Sequence, residues 1–318
     1  MNATILAACV LDLSLGDPPG IPHPVRWIGA AIAGGEQFVR ARFGPTPSGE
    51  RMAGATLAIA IVLGSAGATA AALAITRRLD RRLGWAAEVI LAASALATRD
   101  LLHECGGAYR ALADHDLPRA RIALARIVGR DTHALDEAGV ARAIIETLAE
   151  STCDGVIAPL VYLAFGGVPA AVAFKALSTL DSMIGHREPP YTFFGTVAAR
   201  LDDAANFLPA RCAALAIAVC APLVSGSTRR ALATVAADAL AHRSPNAGFP
   251  EAAMAGALGV RLGGPLAYDG APAPSPLLGA AGRVPDAHDV ACAMRLCASA
   301  ALFASLAASL ATLGVRRE

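Results

Sequence analysis

Two stretches dominate the hydrophobic pattern of this chain, MAGATLAIAIVLGSAGATAAALAI at 52–75 and LCASAALFASLAASLATLGV at 296–315. Each is uncharged and long enough for the roughly 20 residues with which a helix crosses a bilayer. Both are rich in alanine, which favours close helix packing in lipid. Weaker apolar runs occur at ATILAACVLDLSL, LGWAAEVILAASALAT, the region around residue 175 and FLPARCAALAIAVCAPLVSG. Each is short or carries a charge, so these predict further spans, re-entrant segments or helices buried in protein. Between Arg99 and Glu150 the pattern changes to arginine-rich helical periodicity with polar breaks, which predicts a water-facing helical layer. Proline and glycine mark joints at GDPPGIPHP, FGPTPSG, REPPYTFFG, RSPNAGFP and GGPLAYDGAPAPSP. Strand alternation of useful length, internal repeats and heptad arrays are all missing. The expected fold is therefore all-α: a polytopic helical membrane protein, one integral-membrane domain over residues 1–318 with a water-facing segment at about 99–150.

Composition agrees. Of the 318 residues 55% are hydrophobic and only 17% charged, with a mean hydropathy of +0.50, which excludes an ordinary soluble enzyme. A formal net charge of +1 and the lack of basic clusters interleaved with aromatics argue against nucleic acid as a partner. The start is not expected to be a secretory signal, because Asp12 interrupts the apolar run and no basic residue precedes it. The cysteines are scattered without CxxC pairs and read as small apolar fillers. Arginines between Arg99 and Arg142, with Arg77, Arg78, Arg81 and Arg82, put that layer on the cytoplasmic side of the cell membrane by the positive-inside rule.

Of 27 basic side chains only Lys175 is lysine, and it lies within an apolar stretch. A compact, titratable cation there points to function, against the alternative of a stem snorkelling to water. A helical wheel puts Ser178, Thr179 and Ser182 on the side of Lys175, with Asp181 at the margin, so a polar cavity is expected; the alternative is hydroxyls bonded back to the preceding turn. Upstream, Arg142, Glu146 and Glu150 share a helix face. Arg142 with Glu146 reads as a surface ion-pair ladder, whereas Glu150 and Asp154, nearer the apolar run, are candidate proton acceptors. In ARLDDAANFLPAR, Asp202, Asp203 and Asn206 offer oxygen ligands of the kind Mg²⁺ uses, and Arg200 and Arg211 flank them as phosphate-binding candidates. An acidic turn complementing the helix dipole is the plainer reading. The N-terminal turn groups His23 and Arg26 with Asp12 and Asp17, and Asn246 and Arg261 sit in glycine- and proline-rich segments suited to an anion. P-loop and GxSxG motifs are missing.

The blocks LDLSLGDPPGIPHPVRWIG, RDLLHE, GRDTHALDEAGVARAIIETLAESTCDGVIAPLVYLAFGGVPAAVAFKALSTLDSMIGHR, ARLDDAANFLPAR and SPNAGFPEAAMAGALGVRLGGPLAY together resemble the CobD/CbiB-type cobalamin biosynthesis proteins, the adenosylcobinamide-phosphate synthases. The resemblance implies a multi-pass cytoplasmic-membrane enzyme. It would join aminopropanol, its phosphate or an ethanolamine analogue to the free carboxylate of adenosylcobyric acid in an ATP- and Mg²⁺-dependent amide synthesis. In that scheme Asp202, Asp203 and Asn206 would hold the metal, Lys175 would neutralise phosphate charge, Arg187 or Arg200 would hold the amino-alcohol phosphate, and Glu150 or Asp154 would take the proton of the attacking ammonium. Self-association or association with other cobalamin-pathway membrane enzymes fits the same scheme. Ser151, Cys153 and Ser178 depart from residues frequent in the family and leave its charged positions in place. The rival readings are a transporter, for which intramembrane Lys175, Asp181 and Asp202 would mark a solute path, a prenyl-type membrane transferase, and a noncatalytic scaffold for corrin enzymes. A cytoplasm-dependent reporter fused near Asp116 is expected to be active; activity of a fused reporter that works only outside the cytoplasm would reverse the orientation.

Overall fold

The computed structural model of the chain describes residues 2–18, 20, 23–186, 188–268, 271–273 and 275–314. It is all-α. In chain order the helices are α1 (Asn2–Leu15), α2 (Pro24–Phe43), α3 (Pro47–Leu79), α4 (Arg81–Ala93), α5 (Thr98–Ala113), α6 (Leu117–Leu124), α7 (Glu137–Thr152), α8 (Ala158–Ile184), α9 (Thr196–Ala205), α10 (Phe207–Cys220), α11 (Thr228–Asp238), α12 (Gly248–Leu258) and α13 (Ala287–Gly314). Among the described residues strands form two short antiparallel ladders, β1 (Leu262–Gly263) with β4 (Leu277–Leu278) and β2 (Leu266–Tyr268) with β3 (Ala271–Ala273). Among the described residues four helical runs are long and apolar enough to cross a membrane: Pro47–Leu79, Glu137–Ile184, Phe207–Val224 and Ala287–Thr312. The two runs that dominate the sequence pattern fall in α3 and α13. The third contains a π-helical turn at Cys153–Ile157 and a kink at Gly167, where φ is 69°. The apolar N-terminal helix and α4 are shorter than a bilayer is thick.

The fold divides into two compact units. The first comprises the chain up to Ala97, Ala158–Asn206 and the chain from Ser305, so it holds α1 to α4, α8 and α9. Helix α3 packs on α2, α4, α8 and α9, yet Ile59, Leu63, Ile75 and Leu79 on it are exposed. In water such a surface would be costly, and lipid is the solvent that suits it. At its end Asp80 caps α4 by accepting the Arg82 and Leu83 N–H groups, and Arg77 donates to the buried Glu88 at 2.9 Å, which fixes the α3–α4 turn. Arg77, one member of the arginine cluster at the end of α3, is thus part of a structural ion pair.

The second unit comprises Thr98–Ile157 and Phe207–Ala304. Helix α5 packs on α6 and α7, and α12 packs on α7, α10 and α11. The segment expected to face water is partitioned: Arg126 on the surface pairs with Glu104 at 3.2 Å, whereas α7 buries Val140, Ile144, Ile145 and Leu148 completely. Asp136 caps α7 by accepting the Gly139 N–H at 2.7 Å. The Arg283 guanidinium grips the buried Asp289 through both its nitrogens, which anchors the start of α13. All seven cysteines are free thiols, and burial pushes the Cys105 thiol up to about 12.

Backbone approaches closely at Gly54 of α3, where a Cβ would lie 1.8 Å from the Phe194 carbonyl oxygen, while a Cβ on Gly64 would meet nothing within 4 Å. Gly54→Ala is expected to cost roughly 1–3 kcal/mol and to lower Tm in detergent, whereas Gly64→Ala leaves Tm unchanged or raises it; equal effects would contradict the packing.

Candidate active site

The second unit contains a polar cavity of about 300 Å³ lined by Arg130, Glu146, Glu150, His242, Glu251 and Gly263 among others. Helix α7 supplies Glu146 and Glu150, one turn apart on the same face. The Arg130 guanidinium, in the turn after α6, donates to Glu146 Oε2. Glu146 Oε1 accepts the Gly263 N–H at 2.7 Å in a buried hydrogen bond. Gly263 has φ of 75°, and a Cβ there would sit 2.0 Å from the Pro276 carbonyl oxygen, so only glycine brings this amide to the carboxylate. The surface ladder expected between Arg142 and Glu146 is replaced by this arrangement. Glu146 is buried, its partner is Arg130, and Arg142 Nε is buried with no hydrogen-bond partner among the described residues. The reason is that residue 146 faces the unit's interior, where only a cation arriving from another segment compensates its charge.

Opposite α7, Glu251 stands in the first turn of α12, four residues past the Ala247 carbonyl to which its N–H donates. His242 Nε2 lies 3.8 Å from Glu251 Oε1, and His242 Nδ1 accepts the Ser244 N–H at 3.0 Å. Burial pushes the Glu251 carboxyl well above the usual carboxylate range, with Glu146 and Glu150 adding to the effect and Arg130 opposing it. Burial also lowers His242, which favours the neutral ring. A cavity with three carboxylates, one guanidinium and a neutral imidazole is built to receive a cation or to move a proton.

Of the residues singled out by sequence, Glu150 lines this cavity and Asp154 lies in the π-helical turn that follows α7. Asn246 is buried just ahead of α12, and Arg261 is exposed at the approach to β1, its N–H donating to the Arg283 carbonyl. Arg211 has its guanidinium 3.5 Å from the Phe207 ring centre and 4.0 Å from that of Phe249. Two aromatic rings thus pack on it, and its Nη1 donates to the Phe207 carbonyl, which leaves fewer of its donors for an anion.

The remaining candidates belong to the first unit. Lys175, half-buried on α8, lines a small recess with Pro24, Val25, Ile28, Ser94 and Ala95. The Thr179 hydroxyl donates back to the Lys175 carbonyl at 2.7 Å, so that hydroxyl serves the helix rather than a cavity. His23 caps α2 through Nδ1, and its Nε2 lies 2.9 Å from Asp17 Oδ1, a structural placement. Arg26 and Arg200 are exposed, and Arg187 lies outside the described residues. Tyr162 of α8 donates to the Ala205 carbonyl at 3.0 Å and fixes α9. On α9 Asn206 Nδ2 donates to Asp202 Oδ2 at 3.0 Å, and Asp203 is within electrostatic reach of Asp181. Asn206 is 3% exposed, and its Oδ1 accepts no hydrogen bond among the described residues. This oxygen-only set fits Mg²⁺, which takes one or two carboxylates and leaves its other positions to water and phosphate.

A family model described as CobD/Cbib protein matches residues 5–297. The chain belongs to the CobD/CbiB family. It is 43% identical over 296 residues, 92% of each chain, to the cobalamin biosynthesis protein CbiB of Salmonella typhimurium. It is 44% identical, with the same coverage, to the cobalamin biosynthesis protein CobD of Klebsiella pneumoniae. The CobD protein of Pelobacter propionicus is 44% identical over 85% of this chain and 82% of its own. No solved structure matches.

Within this CobD/CbiB chain, sequence reading passed over Arg130 and His242 as site residues. Nothing in helical periodicity links residues 130, 146, 242 and 251, because their meeting depends on loops. The visible signal was Glu251 one residue after Pro250, a carboxylate in a first turn within an otherwise apolar helix.

Proposed function

We propose that this chain is a cobalamin-biosynthesis enzyme that joins aminopropanol, or its phosphate, by an amide bond to the free carboxylate of adenosylcobyric acid. The observation that carries this reading is the family match along nearly the whole chain, with relatives named as cobalamin biosynthesis proteins. The residues suit the chemistry. An amine attacks only after its ammonium has lost a proton, and Glu150 and Asp154 stand beside the polar cavity and on the turn after it to accept one. Asp202 and Asp203 with Asn206 would hold Mg²⁺, and Lys175 or an exposed arginine such as Arg200 would steady phosphate oxygens. ATP with Mg²⁺ would supply the phosphoryl group that makes the carboxylate reactive. The four membrane-length helices fit work at the cytoplasmic membrane, with the arginine-rich α5–α6 segment on the cytoplasmic face.

Membranes containing the protein, incubated with adenosylcobyric acid, aminopropanol phosphate, ATP and Mg²⁺, are expected to yield the corrinoid amide by mass. A folded preparation that gives none would overturn the reading. Lys175→Arg should insert normally and lose turnover by roughly a hundredfold; unchanged turnover would make Lys175 a snorkelling residue.

A further inference from the structure

The α7–α12 cavity is short of positive charge. Glu146, Glu150 and Glu251 line it with one guanidinium, Arg130, and that guanidinium is committed to Glu146. Glu146 is served on its other oxygen by the Gly263 N–H. Glu251 is different: its side chain is only 8% exposed and turned to the cavity, and His242 Nε2 stands off at 3.8 Å. That imidazole is its ion-pair partner among the described residues. A carboxyl group so buried calls for donors. His242 Nδ1 lies 3.0 Å from the Ser244 N–H and 3.4 Å from the Ser244 carbonyl oxygen, and the shorter contact favours the neutral tautomer with its proton on Nε2, the nitrogen that faces Glu251. Among the described residues no three His, Cys, Asp or Glu side chains are grouped to hold a metal ion. A primary ammonium suits the space better, as a compact single charge with three N–H donors, and Ser151 and Ser275 also line the cavity and bring hydroxyls.

We propose that this cavity binds the primary ammonium of the amine substrate, with Glu251 as its counter-ion and His242 positioning that carboxylate. The proposal rests on the amide-forming reading above and says where on the chain the amine is held. The charged and titratable groups around Glu251 are Arg130 from the turn after α6, Glu146 and Glu150 from α7, and His242 with Arg243 from the segment before α12. Without a cation, burial and the two glutamates keep the proton on Glu251 to higher pH than an ordinary carboxyl. When an ammonium enters, R–NH₃⁺ and Glu251–COOH become the pair R–NH₃⁺·⁻OOC–Glu251, and one proton leaves to solvent. Glu251 thus has a lower pKa with the cation bound than without it. Affinity therefore rises with pH up to the cation-free pKa, levels above it, and below it falls by up to about tenfold per pH unit.

The test is calorimetric titration of the full chain in detergent with aminopropanol, and with the matching diol in which a hydroxyl replaces the ammonium, each in two buffers of different ionisation enthalpy. Aminopropanol is expected to bind with proton release and the diol to bind far more weakly. Glu251→Gln should weaken aminopropanol by roughly ten- to a hundredfold and abolish the proton release. Wild-type binding without proton release, or equal affinity in E251Q, would overturn the proposal, and the proton measurement needs no variant to fold. Proton-coupled binding in a protein that forms no amide product would leave the site standing and sink the ligation reading. Product formation with the amine KM unchanged in E251Q would sink the site alone.

Discussion

The buried ion pair between Arg130 and Glu146 is the constraint around which the second unit is arranged. Their side chains are 9% and 10% exposed, and moving either ion out of water costs several kcal/mol. That cost is offset only if each carboxylate oxygen finds a donor. Glu146 meets the condition with the guanidinium on one oxygen and the Gly263 amide on the other. Three segments far apart in sequence, the turn after α6, the middle of α7 and the strand β1, are held at one carboxylate as a result. Because Arg130 is committed there, Glu251 must be balanced by something else, and the chemistry of the cavity follows from that shortage.

The first unit works by a different logic. Helix α3 exposes its aliphatic face and packs on its neighbours through small residues, Gly54 among them. In lipid, close van der Waals contact replaces the hydrophobic effect as the force between helices, and glycine and alanine permit it. Several of its charged groups are paired. Arg77 meets Glu88, and Arg40 meets Glu36 at 2.8 Å while its guanidinium lies 3.9 Å from the Phe194 ring centre. The oxygen atoms of Asp202 and Asn206 gather where α9 ends against α8, held by Tyr162.

Sequence made the helical membrane architecture legible, because apolar length and charge placement are local properties. The spans at α3 and α13 followed from that alone. Pairing was not legible. Arg142 lies four residues from Glu146 and has the opposite charge, so the helical rule favoured it, yet the carboxylate points to a cation from a different segment. His242 carries no local signal. Its meaning depends on Glu251, and their approach is set by the packing of α12 on α7 rather than by spacing.

A double-mutant cycle on Arg130→Met and Glu146→Leu, read by equilibrium unfolding in detergent, tests this account most directly. Each single change leaves a buried charge uncompensated and should cost about 3–5 kcal/mol. The double variant should lose far less than the sum, while Arg142→Met and Glu146→Leu combine additively. Additive losses for Arg130 and Glu146, or strong coupling of Glu146 to Arg142, would contradict it.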